Sequence, residues 1–453
     1  MTDIAFRKRN RKITNVSPTR LIVASFALYI LFAGILLTLP AASANGESAG
    51  FLDALFTATS ATCVTGLVVR DTLTEWSVFG QLVILFSIQI GGLGIVTFGT
   101  FFTVLLGRKI SMKGRVLAQE SLSYYTYDGV LILIKNIVLI TFYIEFIGGL
   151  LLASRFVPEY GAHGVYMGFF HAVSAFCNAG FDLTGNYRSL TEYSNDPLVL
   201  YTTALLIVIG GLGFMVWRDI YEHPRLKGLY LHTKLVLIMT ATLIVAGSVF
   251  FLISEYSNPM TMGPLGFIEK INAAVFHSIT CRTAGFNSLS TNDMSEISKI
   301  ATILLMYIGA APGSTGGGVK VTTAGVIIMA IVSNIKGSDE TIILKRKVPN
   351  AIVFRSLSIV GLSMMLIFIM TTIIIGIEDI NFINILYEVT SAFGTVGLST
   401  GITPTLQPVS KIMLIITMFL GRVGPVTFAI ALAMRAQQEH KGTVYPEGKI
   451  AVG

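Results

Sequence analysis

Four glycines, Gly66, Gly180, Gly285 and Gly397, each end a short run of small and polar residues, and such a run suits the stripping of water from an ion. The runs read FTATSATCVTGL, FHAVSAFCNAGF, FHSITCRTAGF and YEVTSAFGTVGL. An aromatic residue stands ten positions before the glycine in three of them (Phe56, Phe170, Tyr387) and nine before it in the other (Phe276). An ion leaving water needs its hydration oxygens replaced, and a ring of backbone carbonyls does this. Pointing successive carbonyls to one side demands backbone angles that only glycine visits cheaply. The candidate filter residues are therefore Thr62, Cys63, Val64, Thr65 and Gly66; Cys177, Asn178, Ala179 and Gly180; Arg282, Thr283, Ala284 and Gly285; and Gly394, Thr395, Val396 and Gly397. Helix-packing glycines are the competing explanation, being common in membrane proteins. Recurrence with the same flanks favours the filter.

A glycine-rich apolar stretch follows each run, starting at Gly91, Gly210, Gly309 and Gly421, which lie 25, 30, 24 and 24 residues beyond the filter glycines. Three of the stretches read IQIGGLGIVTF, LIVIGGLGFMVW and MFLGRVGPVTF. The third in chain order departs from its siblings: Gly309, Ala310, Ala311, Pro312, Gly313, Ser314, Thr315, Gly316, Gly317 and Gly318. These residues cannot hold a stable helix, because an interior Gly costs about 1 kcal/mol and Pro about 3, and Pro312 also removes a donor. An unwound stretch directly below the filter is expected. Its functional reading is a gate, and a merely kinked packing helix is the alternative. The segment GSTGGGVK misses the GxxxxGK[ST] spacing by one residue and follows no strand, which argues against nucleotide phosphates.

Lys320 and Arg422 lie in apolar surroundings. A cation at the bilayer centre costs about 2.5–3.5 kcal/mol, so each should face a cavity or a partner. Arg422, beside Gly421, reads as holding the glycine-rich loop closed through its free carbonyls, with a structural pairing elsewhere as its alternative. Lys320 completes the candidate gate, with snorkelling to the cytoplasm as its alternative. Arg282 is expected to brace the third run against an acid near the mouth. Lys135 and Glu145 stand ten residues apart on one helix, about 15 Å, and should not pair. Glu145 reads as a bundle-facing structural acid, with a coupling carboxylate as the other possibility.

His171, His277, Cys63, Cys177 and Cys281 are the residue types a soft metal takes. The histidines precede the filter glycines by nine and eight positions, on the supporting half-helix, so a metal site is the weaker reading. Three cysteines, all inside the repeated runs, argue against a disulfide framework. No Ser–His–Asp, HExxH or paired-carboxylate pattern stands out, and the chain reads as no enzyme.

The elements that must position these residues follow from composition. At 453 residues, 53% hydrophobic and 13% charged, the chain reads as a polytopic membrane protein. The expected fold is all-α: four fused helix–pore loop–helix repeats with pseudo-fourfold symmetry around one pore. Outer helices are expected over 21–39, 130–153, 231–253 and 352–375, and inner helices over 79–106, 198–217, 300–335 (interrupted by the unwound stretch 309–318) and 412–434. The repeats span 18–109, 110–218, 219–336 (with the loop 309–318) and 337–435, between tails 1–17 and 436–453. Segments on the side of the termini carry 22 Lys/Arg against 9 Asp/Glu; the other face carries 6 against 15. The positive-inside bias therefore places both termini in the cytoplasm, and the acidic outer face raises local cation concentration. The start mimics a signal peptide ending at AASA, but an apolar run of 21–39 is long for one and reads as a retained first helix.

On CVTGL, FCNAGF, TCRTAGFNS, SAFGTVGLSTG, GAAPGSTGGGVK and GRVGPVTF the chain resembles the Trk/Ktr/HKT potassium transporters over nearly its whole length, most closely the membrane subunit of bacterial Ktr systems. The resemblance implies uptake of potassium across the cell membrane at one main carbonyl ring, with sodium as a stimulating ion in many members and no organic cofactor in this chain. It assigns gating to the intramembrane loop and to the arginine at Arg422. It also associates a glycine at the first filter position, here Gly66, with potassium preference. Its implied partners are a second copy in a homodimer and a cytosolic regulatory ring that binds ATP or ADP; nucleic acid is not among them.

Overall fold

The computed structural model describes residues 18–424 except 107–109, 111, 122–128, 224 and 339. Both expected tails, and the expected inner helix beyond residue 424, lie outside the described residues. Helices α1 (Pro18–Thr38), α2 (Phe51–Cys63), α3 (Val78–Leu93), α4 (Ile95–Leu105) and α5 (Met112–Ser121) come first. They are followed by α6 (Val130–Tyr160), α7 (Ala162–Phe176), α8 (Pro197–Gly211) and α9 (Phe214–Glu222). The third group is α10 (Leu231–Glu255), α11 (Phe267–Thr280), α12 (Glu296–Tyr307) and α13 (Val321–Ile335). A short hairpin, β1 (Ile342–Ile343) with β2 (Arg346–Lys347), precedes α14 (Asn350–Ile375), α15 (Phe382–Gly394) and α16 (Pro408–Val423).

The outer helices α1, α6, α10 and α14 are long and apolar enough to cross a bilayer. Between them, each repeat sends in a short half-helix (α2, α7, α11, α15) that stops at its candidate filter run. The inner helices start where the sequence supplies a cap or a proline. Ser77 accepts from Gly80 N for α3, Asp196 caps α8 ahead of Pro197, Ser295 caps α12, and α16 opens on Pro408.

The inner helices of repeats one and two are not the unbroken spans expected from hydropathy, whereas the interruption expected in repeat three is present. In repeats one and two the chain turns by 95° between α3 and α4 and by 89° between α8 and α9. The cause is one glycine at the same place in each motif. Gly94 (φ 86, ψ 131) and Gly213 (φ 92, ψ 140) hold a conformation that a residue with a Cβ rarely enters, and Gly424 ends α16 in the same one (φ 92, ψ 130). In repeat three the chain leaves the helix after Tyr307 and re-enters it at Val321. The two ends of that excursion are stitched together by Gly309 N to Val319 O (2.8 Å) and Val321 N to Ala310 O (3.2 Å).

Closure follows one rule. Each inner helix packs on the half-helix of the next repeat: α3 on α7, α8 on α11, α12 on α15, and α16 back on α2. The repeated aromatics Phe56, Phe170, Phe276 and Tyr387 are all buried in the cores this creates.

Candidate functional site

The four glycines meet. Gly66, Gly180, Gly285 and Gly397 have φ of 86°, 69°, 79° and 93°. Each faces the carbonyl that precedes the glycine of the following repeat: Gly66 faces Ala179 O, Gly180 faces Ala284 O, Gly285 faces Val396 O, and Gly397 faces Thr65 O. A Cβ at Gly180 would fall 2.7 Å from the Ala284 oxygen, and at the other three the collision would be harder. The contacts run from repeat one to two, three, four and back to one, so the glycine backbones form a closed ring.

Two residues before each glycine the chain is left-handed as well. Val64 (φ 58), Asn178 (φ 59), Thr283 (φ 69) and Thr395 (φ 50) occupy matching positions. A residue with a side chain pays of order 1–3 kcal/mol for such angles and keeps them only where its surroundings over-determine it. The half-helices provide that determination. Their last turns accept Thr65 N at Ser60 O (2.7 Å), Ala179 N at Ser174 O (2.7 Å), Ala284 N at Thr280 O (3.0 Å) and Val396 N at Ser391 O (2.9 Å). The Ser60 and Ser391 hydroxyls also accept from Gly66 N (3.0 Å) and Gly397 N (3.1 Å). All seventeen candidate filter residues are buried. The four half-helices end at the ring, so the negative ends of their dipoles converge on it, a field suited to a cation.

Above the ring lies a cavity of about 210 Å³ lined by all four glycines together with Asp71 and Asp182. Below it lies one of about 310 Å³ lined by Gly92, Gly94, Gly313, Ser314, Lys320 and Arg422 among others. The excursion of repeat three packs beneath the ring. Gly317 N donates to Thr395 Oγ1 (3.1 Å), and a Cβ on Gly316 would collide with Thr283 Oγ1. The loop is moored on repeat two as well, by Ala311 N to Gly211 O (3.0 Å), Phe214 N to Gly313 O (2.9 Å), and Thr315 Oγ1 to Phe176 O (3.2 Å).

Two cations tie the loop. The Arg422 guanidinium donates through Nη1 to Thr315 O and through Nη2 to Gly91 O and Gly92 O, the last at 3.3 Å. One side chain of repeat four thus joins the loop of repeat three to the bend of repeat one. Lys320 Nζ donates to Gly316 O at 2.6 Å, so its charge is spent on the loop.

Arg282 does not brace its run against an acid near the mouth. It turns away from the vestibule, and its Nη2 reaches Thr240 Oγ1 on α10 at 3.4 Å. The outer acids have other tasks: Asp53 pairs with Arg70 (3.1 Å) and Lys411 (3.0 Å), and Asp71 accepts from Leu73, Thr74 and Tyr187 N–H groups. Glu145 pairs with Gln89 (3.2 Å) rather than Lys135. His171 bonds Met167 O and Leu183 N, while His277 meets Thr302. Among the described residues no three His, Cys, Asp or Glu side chains gather as metal ligands would.

Residues 5–441 match the TrkH family, described as cation transport protein. The chain belongs to that family of cation transport proteins. It is similar to the Ktr system potassium uptake protein B of Bacillus subtilis (strain 168), 41% identical over 98% of both chains. It is 42% identical to the potassium/sodium uptake protein NtpJ of Enterococcus hirae over 99% of each. The solved potassium transporter TrkH from Vibrio parahaemolyticus superposes with a TM-score of 0.72 over 90% of this chain and 85% of that one; at 16% identity the likeness is one of fold.

Two features of this TrkH-family chain went unread in its sequence. The bend glycines Gly94, Gly213 and Gly424 recur three residues after Gly91, Gly210 and Gly421, a spacing visible in GGLG, GGLG and GRVG. Those leading glycines let each inner helix lie directly on its own half-helix, at Thr62 O, Phe176 O and Phe393 O. Glu388, in the half-helix of repeat four, holds the segment beyond the ring by accepting from Ser399 Oγ, Thr400 N (3.0 Å) and Thr403 Oγ1 (3.0 Å).

Proposed function

We propose that this chain takes up potassium across the cytoplasmic membrane, passing the ion through carbonyls around Gly66, Gly180, Gly285 and Gly397 while the loop 309–318, tied by Arg422 and Lys320, acts as the gate. The closed relay of glycine-to-carbonyl contacts carries the reading. A dehydrated cation needs oxygens from several sides at once, and a ring assembled from four repeats offers them without any charged ligand. Uptake requires no covalent chemistry: a potential of 100 mV contributes about 2.3 kcal/mol per elementary charge.

The tied loop packs directly under the ring and lines the inner cavity, which supports its reading as a gate. The guanidinium adds an electrostatic barrier there, and withdrawing it frees three carbonyls and opens the way. On this reading both termini are cytoplasmic and the chain works as a homodimer on a nucleotide-binding cytosolic ring that moves the loop. Sodium, which appears in the name of the Enterococcus hirae relative, acts as a stimulating ion. The test is rubidium uptake by potassium-uptake-deficient cells in competition with sodium and ammonium. Uptake that potassium abolishes and sodium spares supports the assignment; equal competition by sodium or ammonium reassigns the same scaffold to those ions.

A further inference from the structure

Glu145 is a buried acid that the ion path described above does not use. It lies on α6, the outer helix of repeat two, yet its partners belong to the pore. Its carboxylate receives Gln89 Nε2 at 3.2 Å and stands 3.8 Å from Cys177 Sγ, which is in turn 3.8 Å from Gln89 Oε1. Three side chains from three elements close a triangle, and each of the other two corners is attached to a working part. Cys177 begins the filter run of repeat two, three residues ahead of Gly180. Gln89 sits on α3, two residues ahead of Gly91, whose carbonyl, with that of Gly92, receives Arg422. Gly92 itself is pressed against the same cysteine, for a Cβ there would fall 2.7 Å from Sγ.

Polar groups deep in an apolar bundle persist only when satisfied, and members of a small network stand or fall together. Here the network spans the boundary between the carbonyls that hold the gate arginine and the run that forms one quarter of the ring. We propose that Glu145 is a positioning residue: through Gln89 and Cys177 it fixes the α3 bend against the second filter run, so that the hold on Arg422 and the discrimination of the ring are set together. The device is mechanical. If α3 moves when Arg422 lets go, Gln89 moves with it and pulls on the carboxylate and the thiol at the root of the run.

This inference rests on the filter-and-gate reading above, and its test separates the two. The full chain is expressed in potassium-uptake-deficient cells, and rubidium and sodium uptake are measured for wild type, Glu145→Gln, Glu145→Leu and Gln89→Leu, each normalised to the amount in the membrane. Glutamine keeps an acceptor and a donor at the site, whereas leucine keeps neither. The expected result is a rubidium-to-sodium ratio altered about twofold or more in both leucine variants, the lower end of coupling between groups in contact, and a ratio restored by glutamine. A second expectation is that Arg422→Ala and Glu145→Leu combine non-additively. An unchanged ratio with a lower total flux would overturn the proposal, since a purely structural acid affects amount and rate alone. Should Glu145→Leu fail to reach the membrane, Gln89→Leu decides by the same ratio. Wild type that takes up no rubidium even with a cognate cytosolic ring supplied would instead overturn the potassium reading.

Discussion

At the scale of single residues, the site is governed by what holds the loop under the ring. The Arg422 guanidinium makes charge-assisted bonds to Thr315 O, Gly91 O and Gly92 O. A hydrogen bond to a charged group is worth about 1.5–3 kcal/mol, and each 1.4 kcal/mol is a factor of ten in population. Arg422→Ala should therefore raise rubidium flux through the full chain in liposomes by about tenfold or more when no regulatory partner is present. Flux no greater than wild type would mean that the loop is held by something else. Thr395→Val is the gentler probe. It keeps the β-branched shape at a left-handed position but removes the acceptor of Gly317 N, leaving a buried N–H unpaired at about 1–3 kcal/mol. The same assay should show an increase of the same sign and smaller size.

At the scale of elements, the glycine bends decide whether an inner helix delivers its lower half sideways. Gly94 and Gly213 share the same backbone angles but differ in room: a Cβ at Gly94 meets nothing nearer than Thr97 Oγ1 at 3.7 Å, while one at Gly213 falls 2.7 Å from Pro312 O. Gly94→Ala thus tests the angle alone, and Gly213→Ala the angle plus a collision with the loop. Both should lower the thermal midpoint of the detergent-extracted protein, and Gly213→Ala should lower it more while also raising basal flux. Equal effects on both readouts would contradict the collision. Here the sequence was only partly legible. Apolar periodicity finds the outer helices and the half-helices, and the recurrent glycines point to the ring, because each copy repeats both the residue and its flanks. The 95° and 89° turns escaped, since a helix and a sharply broken helix bury the same apolar residues and one positive-φ glycine separates them. Arg282 was misplaced for a related reason: spacing locates a residue along its run but leaves open whether the run turns that residue toward the vestibule or toward α10.

At the scale of the whole molecule, one chain imitates four subunits, and the last repeat must close on the first. α16 packs on α2, and Lys411 reaches Asp53 at 3.0 Å, while Arg70 holds the other carboxylate oxygen at 3.1 Å. Lys411→Met should cost about 1 kcal/mol, since the pair is only partly exposed and Arg70 remains. That loss should appear as a thermal midpoint about one degree lower, against almost none for Arg188→Gln, whose pair with Glu192 lies in the open. A shift as small as that of the Arg188 variant would show that helix packing alone closes the circle. Closure matters because the ring exists only when Gly397 comes back to face Thr65 O. The most direct measurement is rubidium uptake and sodium exclusion in potassium-uptake-deficient cells, comparing wild type with Gly66→Ser. A Cβ at Gly66 collides with Ala179 O, so the serine variant, compared at equal amounts in the membrane, should lose its discrimination against sodium, while wild type keeps it. A serine variant that discriminates as wild type does would contradict selection at the glycine ring.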